Sequence, residues 1–301
     1  MPGEQAYKLN DGRTLVYSKP KPFGFLAHVP KDAAGIAKAP FCRKAIEPLL
    51  FIAGSTALLM FADQSASNML QEFSSDIHLH AEEDYKNIVD VPMGKKQVSL
   101  FKAPCNLNTG IYQFGQGFPS LLIGAGLFAY GKIHHDYRSL NTAGQLAETF
   151  ILMGAGTQLL KRITGRQSPS DATKAGGAWH FFPSFKSFQQ HTPRYDAFPS
   201  GHLATVISTI TVLADNYPEK QWIRPVGYSI SGLLGMAMIN NKVHWASDYP
   251  LAIALGYVCA KQVVKNNRRI LRDNYRKHPN SLSYSFAYAN KTFLPSVKYS
   301  F

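Results

Sequence analysis

The stretch from Ala103 to Gly131 reads APCNLNTGIYQFGQGFPSLLIGAGLFAYG and contains no charged residue. About 20 helical residues cross a hydrocarbon layer, so this stretch by itself predicts a membrane-crossing helix with margin. Five more apolar segments accompany it. The first runs from Ile46 to Ala62, behind Arg43-Lys44, with Glu47 and Pro48 in its opening turn, where the amide that proline lacks would be unpaired anyway. Leu140 to Leu160 is apolar except for Glu148 and small polar groups, and Glu148 is expected to face the bundle interior. A Thr/Ser-rich segment begins at His202 and stops near Asp215 or at Asn216-Tyr217-Pro218. Pro225 to Ile239 carries Gly232 and Gly235, which allow close helix approach, and Tyr249 to Val264 runs into Lys265, Arg268 and Arg269.

These segments predict an all-α fold, an integral membrane bundle of about six transmembrane helices over residues 45–265. Residues 1–44 are then a cytoplasmic N-terminal region and 266–301 a cytoplasmic tail. The charges between segments are ordered in the same sense. The first 44 residues hold eight Lys/Arg against three acids, and Lys132 to Arg138 and the tail are basic. The connection 63–102 holds Asp63, Glu72, Asp76, Glu82, Glu83, Asp84 and Asp90 against four lysines. The positive-inside rule then puts both termini in the cytoplasm of an inner or plasma membrane. The loop 63–102, the connection 161–201 and the loop carrying His244 face outward. The mean hydropathy of −0.15 is low for such a bundle, diluted by polar ends and the long loop. The first 40 residues contain no signal-peptide apolar region, so the first span is expected to direct targeting.

The net charge of +13 is spread over the two ends and between apolar stretches, without a stripe of interleaved aromatics. That pattern fits the anionic headgroups of a lipid bilayer and excludes nucleic acid as the expected partner. Cys42, Cys105 and Cys259 are odd in number and far apart, matching neither a disulfide framework nor a zinc site. The tail, with Tyr284, Phe286, Tyr288, Phe293, Tyr299 and Phe301, reads as an interfacial or disordered segment. A last strand of a barrel is the minor alternative.

The chemistry concentrates in two motifs, Pro199-Ser200-Gly201-His202 and His244-Trp245-Ala246-Ser247-Asp248. His244 and Asp248 stand four apart. A carboxylate on one ring nitrogen fixes the tautomer and leaves the other nitrogen's lone pair free, which makes an imidazole an aimed nucleophile. His202 opens a helix, where it can protonate a leaving alkoxide, and amides near Ser200 and Gly201 can cradle an oxyanion. Lys161, with Arg162 and Arg166 beside it, would neutralise nonbridging oxygens. Read singly, His-x3-Asp is more often a helix-start hydrogen bond, Pro-Ser-Gly-His a turn with a cap, and Lys-Arg-x3-Arg interfacial charge. A zinc site is a rival use of His202, His244 and Asp248, but basic neighbours suit an anion better. His78 and His80 read as loop residues, and His134-His135 lie on the other expected face.

With these residues the chain resembles the type 2 phosphatidic acid phosphatase superfamily, which also contains the vanadium-dependent haloperoxidases. That family's pattern is Lys-x6-Arg-Pro, then Pro-Ser-Gly-His, then Ser-Arg-x5-His-x3-Asp. Here the second motif is complete at Pro199 to His202, and the third supplies His244 and Asp248. The first begins at Lys161 and ends at Pro169, but Ser168 stands where the family has arginine, and Ala237-Met238 stand where it has Ser-Arg. The resemblance implies His244 as nucleophile, His202 as general acid and Asp248 as orienting carboxylate. Arg166 and Lys242 are the candidates to replace the missing arginines.

The expected function is a metal-independent, cofactor-free phosphatase. Its expected substrate is a phosphorylated membrane lipid such as phosphatidic acid or an isoprenyl diphosphate, and it acts through a phosphohistidine. The segment Ser170 to Phe198, with Trp179, Phe181, Phe182, Phe185 and Phe188, is expected either to roof the site or to lie at an interface. A weak or inactive binder of anionic headgroups and a soluble acid phosphatase or haloperoxidase-like enzyme are the alternatives.

Overall fold

The computed structural model describes residues 3–79, 81, 84–93, 96–272, 281–289 and 292–300. His80, Glu82, Glu83 and Phe301, which entered the sequence reading, lie outside the described residues. In chain order the elements begin with strands β1 (Glu4–Lys8) and β2 (Arg13–Ser18) and helices α1 (Val29–Lys38) and α2 (Ile46–Asp76). Strands β3 (Tyr85–Met93) and β4 (Lys96–Pro104) form an antiparallel hairpin, followed by α3 (Leu107–Gln113), α4 (Phe118–Ile133) and α5 (Tyr137–Thr164). Then come α6 (Phe185–Gln190), α7 (Gly201–Asn216), α8 (Ile223–Asn240) and α9 (Tyr249–Asn267), and strands β5 (Arg269–Arg272), β6 (Ser281–Ala289) and β7 (Thr292–Ser300).

The chain divides into two compact units. One comprises 1–5 and 17–269 and holds the helices; the other comprises 6–16 and 270–301. Three-stranded pairing runs in the order β1-β2-β5, and β6 pairs antiparallel with β7, Ser281 opposite Ser300 through Ala289 opposite Thr292. Residues 281–289 and 292–300 of the tail, expected as an interfacial or disordered segment, are therefore paired strands.

The six-span bundle is corrected by the structure. Among the described residues one helical run, Arg43–Asp76, is long and apolar enough to cross a membrane, by length and composition alone. The uncharged stretch 103–131 is divided by its own glycines and a proline. Asn106 caps α3 by accepting from Thr109 N at 2.7 Å, a 3-10 turn follows, and Gly117 at φ 82° precedes the 16-residue α4 with Pro119 in its first turn. Elsewhere the helices are interrupted by polar groups that they bury. Arg138, Gln145, Glu148 and Lys161 of α5 are all buried, and α7 ends after 16 residues at buried Asp215 and Asn216. The assignment to an inner or plasma membrane as a multi-spanning protein, with its sided loops, falls with the six spans. The fold is mostly but not wholly α-helical, since part of the expected loop 63–102 is the last turns of α2 and another part the β3/β4 hairpin.

The centre of the helical unit is α7. Ser200 caps it, its side chain accepting from Leu203 N at 3.3 Å. Beyond its first turn α7 is buried on every side, so it needs no polar face. Its Thr205, Ser208, Thr209 and Thr211 hydroxyls return their protons to carbonyls three or four residues back. Leu203, Ile207 and Ile210 pack with Met153, Leu234, Met238 and Cys259 in the main core, each contributing on the order of 1.5–3 kcal/mol. Helix α9 approaches α7 at Gly256, where a Cβ would sit 2.4 Å from Ala204 O. Burial runs otherwise on α2, which turns Asp63, Ser67 and Ser74 inward and leaves Leu50, Phe51, Leu58 and Phe61 exposed.

Candidate active site

Three connections converge at one end of α7: the segment after α5, the entry to α7 and the loop between α8 and α9. Helix α5 stops at Gly165, whose amide donates to Lys161 O at 2.9 Å. The position demands glycine twice over, by its φ of +53° and because a Cβ would meet His180 O at 2.0 Å. The segment then folds back on itself. Gln167 N donates to Ala178 O and Ala197 N to Arg166 O, while Gln167 Oε1 accepts from Thr173 N, Thr173 Oγ1 and Ala178 N, each at 3.0 Å. Trp245 Nε1 donates to Gln167 O at 2.8 Å, which ties this segment to the third motif.

His244 is buried. Its Nδ1 lies 2.7 Å from Ala197 O and 3.5 Å from Asp248 Oδ2. A carbonyl oxygen can only accept, so Nδ1 carries the proton and the lone pair of the neutral ring sits on Nε2. Nε2 is buried and meets no hydrogen-bond partner among the described residues. Burial, and then the positive charge of Lys161, push the ring's pKa down to about 3, which keeps it neutral at neutral pH. The sequence assigned the orienting role to Asp248; in the structure the shorter contact is to the Ala197 carbonyl.

His202 stands on the first turn of α7 with its ring centroid 5.6 Å from that of His244 and 4.8 Å from that of Tyr112. Its Nδ1 is buried without a hydrogen-bond partner. Burial, then His244 and Lys161, hold it well below the usual histidine range. Gly115 lies against it, where a Cβ would come within 2.7 Å of His202 Cβ. The two motif histidines are therefore brought together, each with a nitrogen not engaged by the described residues.

Asp248 is fully buried. Its Oδ2 accepts from Trp245 N at 2.7 Å and its Oδ1 from Arg166 Nη1 at 2.5 Å. Burial raises its pKa to about 6 against the lowering effect of Arg166. Arg166 has no exposed surface and its donors are committed: Nη1 to Asp248 and to Ser247 Oγ at 2.6 Å, Nη2 to Asp63 Oδ2 at 2.6 Å and Gly176 O at 2.7 Å. Its guanidinium carbon lies 5.0 Å from the Trp179 ring centroid and 5.7 Å from that of Trp245. The sequence reading offered Arg166 to a phosphate, but the structure binds it to protein.

The remaining expected anion ligands are arranged as follows. Lys161 is buried at the end of α5 with Nζ 3.5 Å from Asp196 Oδ2. Ser200 is fully buried; its amide donates to Asp248 O at 3.2 Å and its hydroxyl lies 3.4 Å from Met238 Sδ. Gly201 begins α7, so the amides of its first turn lack intrahelical acceptors. Lys242 has an exposed side chain and a left-handed backbone at φ 56°, and its carbonyl accepts from Ser170 N. Ser168 and Met238, at the family's arginine positions, are both buried. Among the described residues no group of three or more His, Cys, Asp and Glu is placed to hold a metal.

Sequence reasoning missed Asp63 and Asp196. Asp63 read as the first acid of a polar loop; its signal, an acid closing an apolar run, does not say which way it points. Asp196 belonged to no motif. The aromatic segment divides in two, since Phe188 is buried beneath Arg162, whose guanidinium stacks 4.5 Å from its ring, while Phe181, Phe182 and Phe185 are exposed.

Comparison with known proteins gives similarity at the level of a superfamily. Residues 142–270 match the family model described as the PAP2 superfamily, so this part of the chain is homologous to that superfamily at low identity. The lipid A 1-phosphatase of Porphyromonas gingivalis is 27% identical over 131 residues, which are 42% of this chain and 29% of that protein. The match thus spans less than a third of the relative's length. A crystal structure of a transmembrane PAP2 type phosphatidylglycerolphosphate phosphatase from Bacillus subtilis is 17% identical with a TM-score of 0.41, covering 76% of this chain and 96% of that one.

Proposed function

We propose that this protein is a phosphatase of a phosphorylated membrane lipid, either a phosphomonoester or a diphosphate, acting through a phosphohistidine on His244. The observation that carries the reading is the His244 ring, neutral, with Nδ1 tied to Ala197 O and Nε2 unengaged beside His202. Nε2 attacks phosphorus, the N–P bond forms, and the P–O bond to the lipid breaks. His202, made cationic by the bound phosphate dianion, gives its proton to the departing oxygen, the alkoxide of a monoester or the lipid phosphate of a diphosphate. Water then attacks phosphorus, loses its proton to His202, and the N–P bond breaks to release phosphate. Lys161 and the amides of Gly201 and His202 stabilise the equatorial oxygens. Lipid as the substrate class rests on the named activities of the relatives and on the exposed Phe181, Phe182 and Phe185 near Arg162 and Lys186.

A second reading is favoured by a specific observation. With Ser168 and Met238 at the arginine positions, Arg166 committed and Lys161 paired with Asp196, the pocket is poorer in free positive charge than the mechanism calls for. On that reading the protein binds an anionic headgroup with weak turnover or none.

The test is phosphate release by the purified full chain from lipid mono- and diphosphates in mixed micelles with EDTA, beside His244→Ala. Turnover lost in the variant, with an acid-labile phosphoenzyme trapped in the parent protein, supports the phosphatase. Binding of these lipids by folded protein without any turnover supports the second reading.

A further inference from the structure

Asp63 lies near the middle of α2, far in sequence from every motif, and is 1% exposed. Its Oδ1 accepts from Ser247 N at 3.0 Å. Its Oδ2 accepts from Ser247 Oγ at 2.5 Å and from Arg166 Nη2 at 2.6 Å. Arg166 reaches on to Asp248, and Asp248 lies beside His244 Nδ1. Asp63, Arg166, Asp248 and His244 thus form one buried chain built from α2, the segment after α5 and the loop before α9.

Charge explains why both ends of Arg166 carry a carboxylate. A guanidinium paired with Asp248 alone would cancel the charge that the ring of His244 needs when it becomes cationic during phosphoryl transfer. A second carboxylate offsets the guanidinium, so the trio keeps one net negative charge next to Nδ1. The hydrogen bonds to Ser247 also fix the turn Ala246–Asp248 from outside the motif.

We infer that Asp63 is a positioning residue for the His244 reaction. Acting through Arg166 and Ser247, it holds the Asp248 loop and preserves the negative charge beside His244, so Arg166 within the first motif serves the nucleophile and not the substrate. This rests on the phosphohistidine reading. The charged or titratable groups around Asp248 are Asp63, Arg166, His244, Lys161 and Tyr249.

The experiment compares Asp63→Asn and Asp63→Glu with the parent full chain, reading kcat, KM, their pH profiles and, by carbon-13 NMR, the ionisation of the Asp248 carboxyl. Asn removes the charge that disfavours a second carboxylate on Arg166, so Asp248 ionises at lower pH. The expected result is kcat down about 10- to 100-fold with KM little changed, an acidic limb displaced downward in Asn, and partial recovery in Glu. Parent-like kcat together with an unmoved Asp248 titration overturns the inference. If the parent protein has no turnover, the phosphatase reading fails and this inference falls with it, whereas turnover in the parent with an unmoved Asp248 titration and parent-like kcat in the variants overturns this inference alone. Should the Asn variant not fold, Ser247→Ala is read in its place, with a smaller loss in kcat expected and none overturning the inference.

Discussion

Lys161 Nζ lies 3.5 Å from Asp196 Oδ2, so this buried cation of the first motif already has an anionic partner. An incoming phosphate must share Lys161 with that carboxylate or displace it. Asp196 is partly exposed, and the attraction is therefore screened. Asp196→Asn is expected to tighten binding of orthovanadate or inorganic phosphate by on the order of 1 kcal/mol, about fivefold in Kd. Isothermal calorimetry at fixed ionic strength reads this directly. An unchanged Kd would mean that the anion does not sit at Lys161.

The pH dependence follows from opposite shifts on neighbouring groups. His244 is neutral above about pH 3, so its nucleophilic form is not limiting at ordinary pH. Asp248 is raised to about 6, and an ionised Asp248 is what the mechanism uses. Activity is therefore expected to rise with pH through an acidic limb near 6. His202 is depressed in the free protein by burial, His244 and Lys161. A bound phosphate dianion reverses that, so the His202 ring should titrate at higher pH with vanadate than without. Nitrogen-15 NMR of the ring in both states measures the change, and a shift in the other direction would exclude His202 as the acid.

Away from the site, Glu148 of α5 is fully buried and its pKa is pushed up to about 8, by burial first and then by neighbouring Asp32. Asn267 Nδ2 donates to its Oε2 at 3.1 Å. Because the folded-state value exceeds the ordinary one of 4.5, the unfolded chain gives up this proton first. The contribution is intact below pH 4.5, declines as pH rises, and is lost above about 8. Glu148→Gln should flatten stability over that window. Denaturant unfolding across the window checks it, and parallel slopes for the two proteins would refute the assignment.

The α7–α9 contact makes a sharper demand on size. A Cβ at Gly256 would meet the Ala204 carbonyl oxygen at 2.4 Å, and backbone cannot step aside as a side chain can. Gly256→Ala is expected to cost about 1–3 kcal/mol through forced separation of the helices. Gly154 on α5 is the control, since nothing lies within 4 Å of its Cβ position. There alanine should be neutral or stabilise by roughly 0.5–1 kcal/mol through helix propensity. Thermal unfolding of the pair separates a steric from a compositional effect.

The sequence by itself determined which motif side chains are present and most of the helices. Pro-Ser-Gly-His and His-x3-Asp need particular side chains at particular local spacings, and a cap such as Ser200 or a stop such as Gly165 is written in a few neighbouring residues. What it could not determine was which apolar runs cross a membrane, because hydropathy averages over faces. Glu148, Gln145 and Arg138 weaken α5 as a span yet are buried in its packing, and Gly117 splits an uncharged stretch that composition reads as continuous. Only the tertiary structure decided where the cations go. Arg166 stands two residues from the family's arginine position, but its partners Asp63 and Asp248 are brought to it from 103 residues before and 82 after. A buried guanidinium settles where its hydrogen bonds and charge are balanced, and that balance is a property of the packed fold.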